Sequence, residues 1–171
     1  MTETDAAVIR RSVGEPEAFA RVFDRHWTAI HRFCASRAGA AGEDIAAEAF
    51  RVAFDRRRSY DAGHADAAPW LHGIATNLLR HHFRSAERGR AATARVGTDV
   101  EPDPADAAIG RLEAEALGPR LADALAGLGP AERDALLLHA WAGLTYEEIA
   151  RATDDPVRDP LAWLTAEQSA V

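Results

Sequence analysis

The sequence predicts an all-α protein of two small helical domains joined by an acidic linker. Apolar residues recur every three or four positions along most of the chain, which is the spacing of amphipathic helices. The clearest break in that pattern is an acidic stretch with two prolines, and 171 residues are enough for two small domains. We therefore expect one domain of three to four helices at residues 15–95, a linker at 96–108 and a second domain at 109–153.

Composition excludes several classes of protein. The chain is 47% hydrophobic and 27% charged, which is typical of a globular protein, and it contains one cysteine, Cys34. A single cysteine rules out an internal disulfide and a cysteine-rich zinc site, and we expect no metal or cofactor. No apolar run approaches the ~20 residues of a membrane span, and the N-terminus lacks the apolar core of a signal peptide. We expect a cytoplasmic protein without membrane insertion.

Two amphipathic helices are predicted after a flexible N-terminal tail at residues 1–14. The first begins at Glu15–Pro16–Glu17, where proline and acids suit a helix start. The second covers residues 43–58, and its outer face is of mixed charge. That face suits a protein partner, although an ordinary solvated helix face is the simpler alternative. Its charged residues are Glu43, Asp44, Glu48, Arg51 and Asp55.

The third predicted helix, at residues 69–90, carries a basic stripe opposite its apolar face. Residues 69–95 hold five arginines against one glutamate, a local charge of +4. Arginine suits phosphate oxygens, and asparagine can make paired hydrogen bonds to a base edge. The stripe suits nucleic acid, and taken by itself a merely solvated helix face is an equal alternative; the rest of the chain favours nucleic acid. Its members are Asn77, Arg80, His81, Arg84 and Arg88.

A polar loop at residues 59–68 precedes this helix and contains one aromatic residue, Tyr60. An exposed aromatic ring beside a basic helix can stack on bases of a single strand. The alternative is that Tyr60 packs as a lid on the helices.

The second domain shows the first half of a helix-turn-helix unit. Pro130 opens a helix that Gly143 ends, with Leu136, Leu137, Leu138 and Trp141 predicted to be buried. The segment from Thr145 to Glu148 then forms a capping box that starts a short helix. A helical series precedes this unit, at Ile109, Leu112, Leu117, Leu121, Leu125 and Leu128.

The C-terminal tail does not complete that unit as expected. Residues 154–171 carry four acids against one arginine, and two prolines leave little room for a helix. Such a segment is poorly suited to approach a phosphate backbone. Its apolar residues could instead fold back onto the second domain; these are Leu161, Trp163 and Leu164.

Four segments in this order resemble the extracytoplasmic-function (ECF) sigma factors of bacterial RNA polymerase. They are EPEAFARVFDRHWTAIHRF, EDIAAEAFRVAFDRRRSY, APWLHGIATNLLRHHFRSAER and LAGLGPAERDALLLHAWAGLTYEEIARA. The resemblance implies a region 2 domain that binds the polymerase clamp and opens the −10 promoter element. It also implies a region 4 domain that binds the polymerase flap and the −35 element. The family has no catalytic residues of its own, and an anti-sigma factor is an expected partner.

The resemblance also assigns roles to individual residues. The −10 DNA would be bound by Tyr60, His64, Trp70, Asn77, Arg80, His81, Arg84 and Arg88. Core polymerase would be bound by Asp44, Glu48, Arg51 and Asp55. The first helix of the helix-turn-helix would include Thr145, Tyr146, Glu148 and Ile149.

The chain departs from the family pattern after Ala152, where no basic recognition helix is visible. Truncation, a shifted reading frame or natural divergence would each produce this. We expect a sigma factor that melts the −10 element, with weak or absent −35 recognition. The alternative is an interaction module that binds polymerase or an anti-sigma factor without productive −35 recognition. An enzyme is disfavoured, because no set of catalytic groups is recognisable.

Overall fold

All regular structure in the described part of the chain is helical, which confirms the predicted fold class. The computed structural model describes residues 3–96, 125 and 127–153, without the side chains of 90–96. None of the helices in these ranges is long and apolar enough to cross a membrane. The helices are α1 (Asp5–Ser12), α2 (Ala20–Ala38), α3 (Gly42–Arg56), α4 (Ala68–Val96), α5 (Pro130–Ala142) and α6 (Tyr146–Thr153). Short 3₁₀ turns lie at Pro16–Phe19, Gly39–Ala41 and Arg57–Ser59.

Helix α1 corrects the prediction of a flexible tail at residues 1–14. Val8 and Ile9 are buried in the core, and Thr4 caps the helix by accepting a hydrogen bond from the Ala7 N–H at 3.3 Å. The Nε of Arg57 donates to the Ser12 carbonyl at 3.1 Å and so holds the other end of α1. A two-turn helix is too short to show a clear 3.6-residue period, and tertiary contacts rather than its own pattern stabilise it.

Helices α2, α3 and α4 pack around one apolar core. The predicted apolar faces are confirmed at most positions, since Phe33, Ile45, Leu71 and Leu79 are all buried. Helix α3 begins directly against α2 at Gly42, where an added Cβ would lie 2.4 Å from the Ala35 Cα. The sharp connection between the two helices therefore depends on a residue without a side chain.

The predicted boundaries of α5 and α6 are confirmed. Pro130 is the first residue of α5, and Gly143 ends the helix with a left-handed φ of 67°. The Thr145 hydroxyl accepts from the Glu148 N–H at 3.3 Å, while the Glu148 carboxylate accepts from the Thr145 N–H at 2.8 Å. The Thr145 N–H and the Thr145 hydroxyl each donate to the Glu148 carboxylate at 2.8 Å, and these two bonds lower the pKa of Glu148 because they favour its charged form.

Trp141 is a further correction, because it was predicted to be buried and is 45% exposed. The left-handed turn at Gly143 folds the chain back, so that the Leu144 N–H donates to the Leu138 carbonyl at 3.3 Å. Leu138 and Leu144 are both buried. Leu144 rather than Trp141 therefore covers the end of α5, as is typical of glycine-terminated helices.

Helix α6 packs along α4, so the second helical unit joins the core of the first. Leu138, Ile149 and Ala152 are buried in the same apolar cluster as Leu71 and Leu79. The acidic linker, the helical series from Ile109 to Leu121 and the tail with Leu161, Trp163 and Leu164 lie outside the described residues.

Candidate nucleic-acid interface

The outer face of α4 carries most of the predicted basic stripe. Asn77, His81, Arg84 and Arg88 are exposed, while Leu79 on the opposite face is fully buried. Positions four and seven apart on a helix share a side, so these four side chains form one surface. The surface can offer guanidinium groups to phosphates and an amide to a base edge.

Arg80 does not point outward with the rest of the stripe. Its Nε donates to an Asp134 carboxylate oxygen of α5 at 2.5 Å, and Arg37 of α2 donates to the other oxygen. Asp134 is only 2% exposed. In this arrangement Arg80 therefore closes an ion pair between helices, and its side chain is only 26% exposed.

Tyr60 is half-buried in the loop before α4. Its hydroxyl lies within donating distance of the His64 carbonyl (2.7 Å) and the Asp66 carbonyl (3.0 Å). Its ring centroid is 4.9 Å from that of Trp70, which is itself half-buried. Burial raises the pKa of Tyr60 to about 12. Of the two alternatives from the sequence, this conformation matches the lid.

His64 lies at the tip of the same loop, and α6 reaches it. A guanidinium nitrogen of Arg151 lies 3.1 Å from His64 Nδ1, and a carboxylate oxygen of Asp61 lies 3.4 Å from Nε2. Asp61 also accepts from the Gly63 N–H at 2.9 Å, which tightens the turn. The loop is thus an ordered structure that contacts the second helical unit.

Asp5 ties this loop to the rest of the first unit. One of its oxygens accepts from Arg25 at 2.6 Å, while the other lies 2.6 Å from His26 Nε2 and accepts from the Ala67 N–H at 3.0 Å. Burial alone would raise the pKa of Asp5, but the bonds from Ala67, Arg25 and His26 together lower it. The sequence does not single out Asp5, because it lies in the segment predicted to be a tail.

Asp5, His26 and Asp66 also bring potential metal-ligand atoms within 4.8 Å of one another. Both Asp5 oxygens, however, already accept hydrogen bonds from protein groups, one of them the cationic Arg25. A cation held by the Asp5 oxygen next to His26 would have to replace the bond between that oxygen and His26 Nε2, and the same oxygen already accepts from the Ala67 N–H. The cluster is therefore explained as a hydrogen-bonded anchor.

The predicted polymerase-binding residues lie on the outer face of α3. Asp44, Arg51 and Asp55 are exposed and Glu48 is half-exposed. Arg51 donates to Glu48 at 2.5 and 2.7 Å and to Asp55 at 3.0 Å. The hydrogen bond from Arg51 lowers the pKa of Glu48.

The helix-turn-helix residues divide between surface and core. Ile149 is fully buried, while Thr145 and Tyr146 are exposed and Glu148 belongs to the capping box. The Tyr146 ring stacks on His139 with centroids 5.1 Å apart. The expectation of weak −35 contact concerns residues 154–171, which lie outside the described part of the chain.

Three residues at the junction of the two units were not predicted from the sequence: Arg37, Gly73 and Asp134. An added Cβ at Gly73 would lie 2.1 Å from the Ala152 carbonyl oxygen, so α4 and α6 meet backbone to backbone. The available signal was the position of Asp134, an acid one turn before Leu138 on the apolar face of α5. An acid at such a position requires a buried partner.

Comparison with known families gives two matches along the chain. The Sigma-70 region 2 profile matches residues 19–89, and the Sigma-70 region 4 profile matches residues 119–158. The first contains α2, α3 and most of α4, and the second contains α5 and α6.

Individual relatives agree with these profiles. The ECF RNA polymerase sigma factor BldN of Streptomyces coelicolor is 32% identical over 84% of this chain, which spans about half (55%) of that relative's length. The RNA polymerase sigma factor CarQ of Myxococcus xanthus is 32% identical over 80% of this chain and 76% of its own. The ECF RNA polymerase sigma factor RpoE of Cereibacter sphaeroides is 28% identical over 90% of this chain and 86% of its own.

A solved structure shows the same fold. CnrH, in complex with the cytosolic domain of CnrY, superposes with a TM-score of 0.58 and 21% identity over 97% of both chains. The two Sigma-70 profiles and the 32% identity to CarQ show the family. This chain belongs to the ECF RNA polymerase sigma factors, which are transcription initiation factors and not enzymes.

Proposed function

We propose that the outer face of α4 and the loop before it bind the separated −10 promoter strand. The observation that supports this most directly is the exposed row of Asn77, His81, Arg84 and Arg88 on one side of one helix. Arginines along the row would follow the phosphates, and Asn77 would read a base edge. Tyr60, His64, Trp70 and Arg80 would complete the site.

Stacking in the loop requires Tyr60 to leave its place as a lid. Among the described residues, its hydroxyl is bonded within its own loop, to the His64 and Asp66 carbonyls, and its ring contacts that of Trp70. A base that inserts beside Trp70 would replace the contact between the Tyr60 and Trp70 rings with a contact between the base and Trp70. Extruding a base costs a few kcal/mol, and stacking on aromatic rings at ~1–3 kcal/mol each can offset that cost.

Loss of Asn77 should weaken capture of the −10 strand without loss of polymerase binding. With core polymerase and a fork-junction DNA that exposes the −10 strand, Asn77→Ala is expected to lower abortive transcript yield about tenfold or more, because a paired base contact contributes ~1–3 kcal/mol. Arg84→Ala is expected to weaken DNA binding by a similar factor for all sequences. Because one phosphate contact is lost, the slope of log affinity against log salt concentration should fall by about one unit.

Arg32→Ala is the matched control, since Arg32 is an exposed arginine of α2 outside the proposed site. Its yield should equal that of the unaltered protein. If transcription is normal with both Asn77→Ala and Arg84→Ala, the proposed DNA face is wrong. That result would favour the alternative of an interaction module. Templates with and without an upstream −35 duplex separate the two promoter elements.

We further propose that the charged face of α3 binds the clamp of core polymerase. Asp55→Arg is expected to reduce affinity for core polymerase about tenfold. The substitution places a positive charge where we propose that the clamp contacts an acidic side chain, and a charge of the wrong sign at an interface costs binding energy. The fold should be unaffected, since Asp55 is exposed and its partner Arg51 is too. Affinity is measured by fluorescence anisotropy of the labelled protein.

Asp24→Arg serves as the comparison, because Asp24 is an exposed acid on α2. An equal loss of affinity in both variants would mean a nonspecific charge effect and would contradict the assignment to α3.

We propose the remaining partners from the family resemblance: the polymerase flap through α5 and α6, and an anti-sigma factor. A protein partner is supported by the fold neighbour CnrH, which was solved in complex with the cytosolic domain of CnrY. All these encounters would take place in the cytoplasm.

A further inference from the structure

Helix α1 lies along the loop that precedes α4 and is fixed to both ends of it. At the N-terminal end of α1, the Asp5 N–H donates to the Ala65 carbonyl at 3.0 Å, and an Asp5 carboxylate oxygen accepts from the Ala67 N–H at 3.0 Å. At the C-terminal end, the Ser12 carbonyl accepts from Arg57 Nε at 3.1 Å. The last turn of α1 therefore lies beside the residues through which the chain enters the loop.

Three exposed arginines gather around this second contact. Arg10 lies in the last turn of α1, and Arg56 and Arg58 flank Arg57 in the chain. The Ser59 hydroxyl donates to the Arg56 carbonyl at 2.8 Å and so fixes the turn that carries the pair. We call Arg10, Arg56 and Arg58 the α1 arginine cluster.

Arg57, at the centre of the cluster, has a structural role of its own. Besides its bond to Ser12, its Nη1 donates to the Phe54 carbonyl at 2.6 Å, and its guanidinium lies 3.8 Å from the centroid of the Phe54 ring. Arg57 thus joins the end of α3 to the end of α1. The neighbouring arginines are free of that task.

The α1 arginine cluster has no acidic partner in the described part of the chain, since none of the ion pairs there includes its members. Acids outnumber arginines in this chain by 27 to 20, so unpaired arginines do not follow from composition. Nearby arginines are paired: Arg11 with Glu3 at 3.0 Å, and Arg51 with Glu48 and Asp55. Exposed guanidinium groups without an acid are suited to phosphate oxygens.

The loop therefore lies between two groups of exposed basic side chains. Its last residues lead into α4, where Arg84 and Arg88 point outward further along the helix. Its first residues adjoin the α1 arginine cluster. A single strand whose base enters the loop could contact one group on each side, because the phosphates continue in both directions from that base.

We propose that the α1 arginine cluster is a second phosphate-binding site, which holds the promoter strand on the side of the loop opposite α4. This inference rests on the proposed function of the α4 face and the loop. Contacts to phosphate position a strand without reading its bases, so the cluster adds affinity and not sequence preference. Arg10 precedes residue 19, where the match to the Sigma-70 region 2 profile begins.

The double variant Arg10→Ala with Arg58→Ala removes one arginine from each side of the α1 contact. Both side chains are exposed and form no ion pair among the described residues, so we expect the fold to be kept, as circular dichroism would show. The matched control is Arg21→Ala with Arg32→Ala, which removes two exposed arginines of α2 and changes the net charge equally.

Each variant is assembled with core polymerase and bound to two fork-junction DNAs of one sequence. The single-stranded arm of the first ends at the base expected in the loop, and that of the second continues a few nucleotides beyond it. For the longer arm we expect the cluster variant to bind about tenfold more weakly. Its slope of log affinity against log salt should fall by about 1.4 units, at ~0.7 per phosphate contact of a single strand. Affinity for the shorter arm should be unchanged, and the control variant should match the unaltered protein on both.

Three results would overturn the proposal: unchanged affinity for the longer arm, an equal loss on both arms, or an equal loss in the control variant. A loss of affinity for core polymerase itself, measured without DNA, would assign the cluster to a protein contact and would also overturn it. Failure of the proposed function is read separately from Asn77→Ala on the shorter arm. Normal binding there would mean that the α4 face is not the DNA site, whatever the cluster variant shows.

Discussion

Gly42→Ala is expected to destabilise the first helical unit by about 2–3 kcal/mol, the cost typical of forcing extra atoms into a packed core. An added Cβ would lie 2.4 Å from the Ala35 Cα, 2.5 Å from the Ala35 nitrogen and 2.8 Å from the Cys34 carbonyl carbon. All three are backbone atoms of α2, so no flexible side chain can move aside. Urea denaturation followed by circular dichroism measures the change in the free energy of unfolding.

Gly89→Ala gives the contrast for this prediction. Gly89 also lies in a helix, and the added Cβ meets no described atom within 4 Å. Alanine should therefore match or exceed glycine in stability there, by up to ~1 kcal/mol of helix propensity. If Gly42→Ala is as stable as Gly89→Ala, the close approach of α3 to α2 does not constrain the fold.

The helices that could be predicted from the sequence are those whose pattern is local. The apolar period of α2 to α4, the proline at the start of α5 and the glycine at its end each depend on neighbours within a few turns. Helix α1 could not be predicted in this way, because Val8 and Ile9 are buried by partners distant in sequence. Trp141 was misjudged because Leu144, beyond the glycine turn, takes the buried place.

In the candidate site, too, the sequence predicts the features that depend on local spacing and misses those that depend on distant partners. The exposed row on α4 follows from helical spacing, since Asn77, Arg84 and Arg88 need no distant partner to face outward. Arg80 belongs to the same stripe by spacing, yet Asp134 lies 54 positions further along the chain and draws it inward. No periodic signal reports such a pairing. The acid on the apolar face of α5 indicates only that some buried cation must exist.

The anchor at Asp5 couples the missed helix α1 to the proposed DNA site. Asp5 binds Arg25 and His26 of α2 and the Ala67 N–H at the end of the loop, while its own N–H donates to the Ala65 carbonyl at 3.0 Å. The loop that would capture a base is therefore positioned by a residue more than fifty positions earlier. Loss of this carboxylate should loosen both the fold and the loop.

Asp5→Ala is expected to cost about 2–4 kcal/mol at neutral pH, because it leaves the Ala67 N–H and the Arg25 guanidinium without their acceptor. Asp5→Asn keeps the shape and should cost less. Since the pKa of Asp5 is lowered in the folded state, its contribution is fully present above the ordinary value of 3.8. It is then lost as the pH falls through the folded-state pKa.

The difference in unfolding free energy between the unaltered protein and Asp5→Asn should therefore be largest near pH 7 and shrink below about pH 4. Urea denaturation over a pH series measures it, with Asp24→Asn as an exposed control that should show no such difference. A gap that stays constant across the series would mean that the charge of Asp5 does not stabilise the fold. In the transcription assay, Asp5→Asn should lower yield at temperatures where the protein remains folded, because the loop and not the α4 face loses its support.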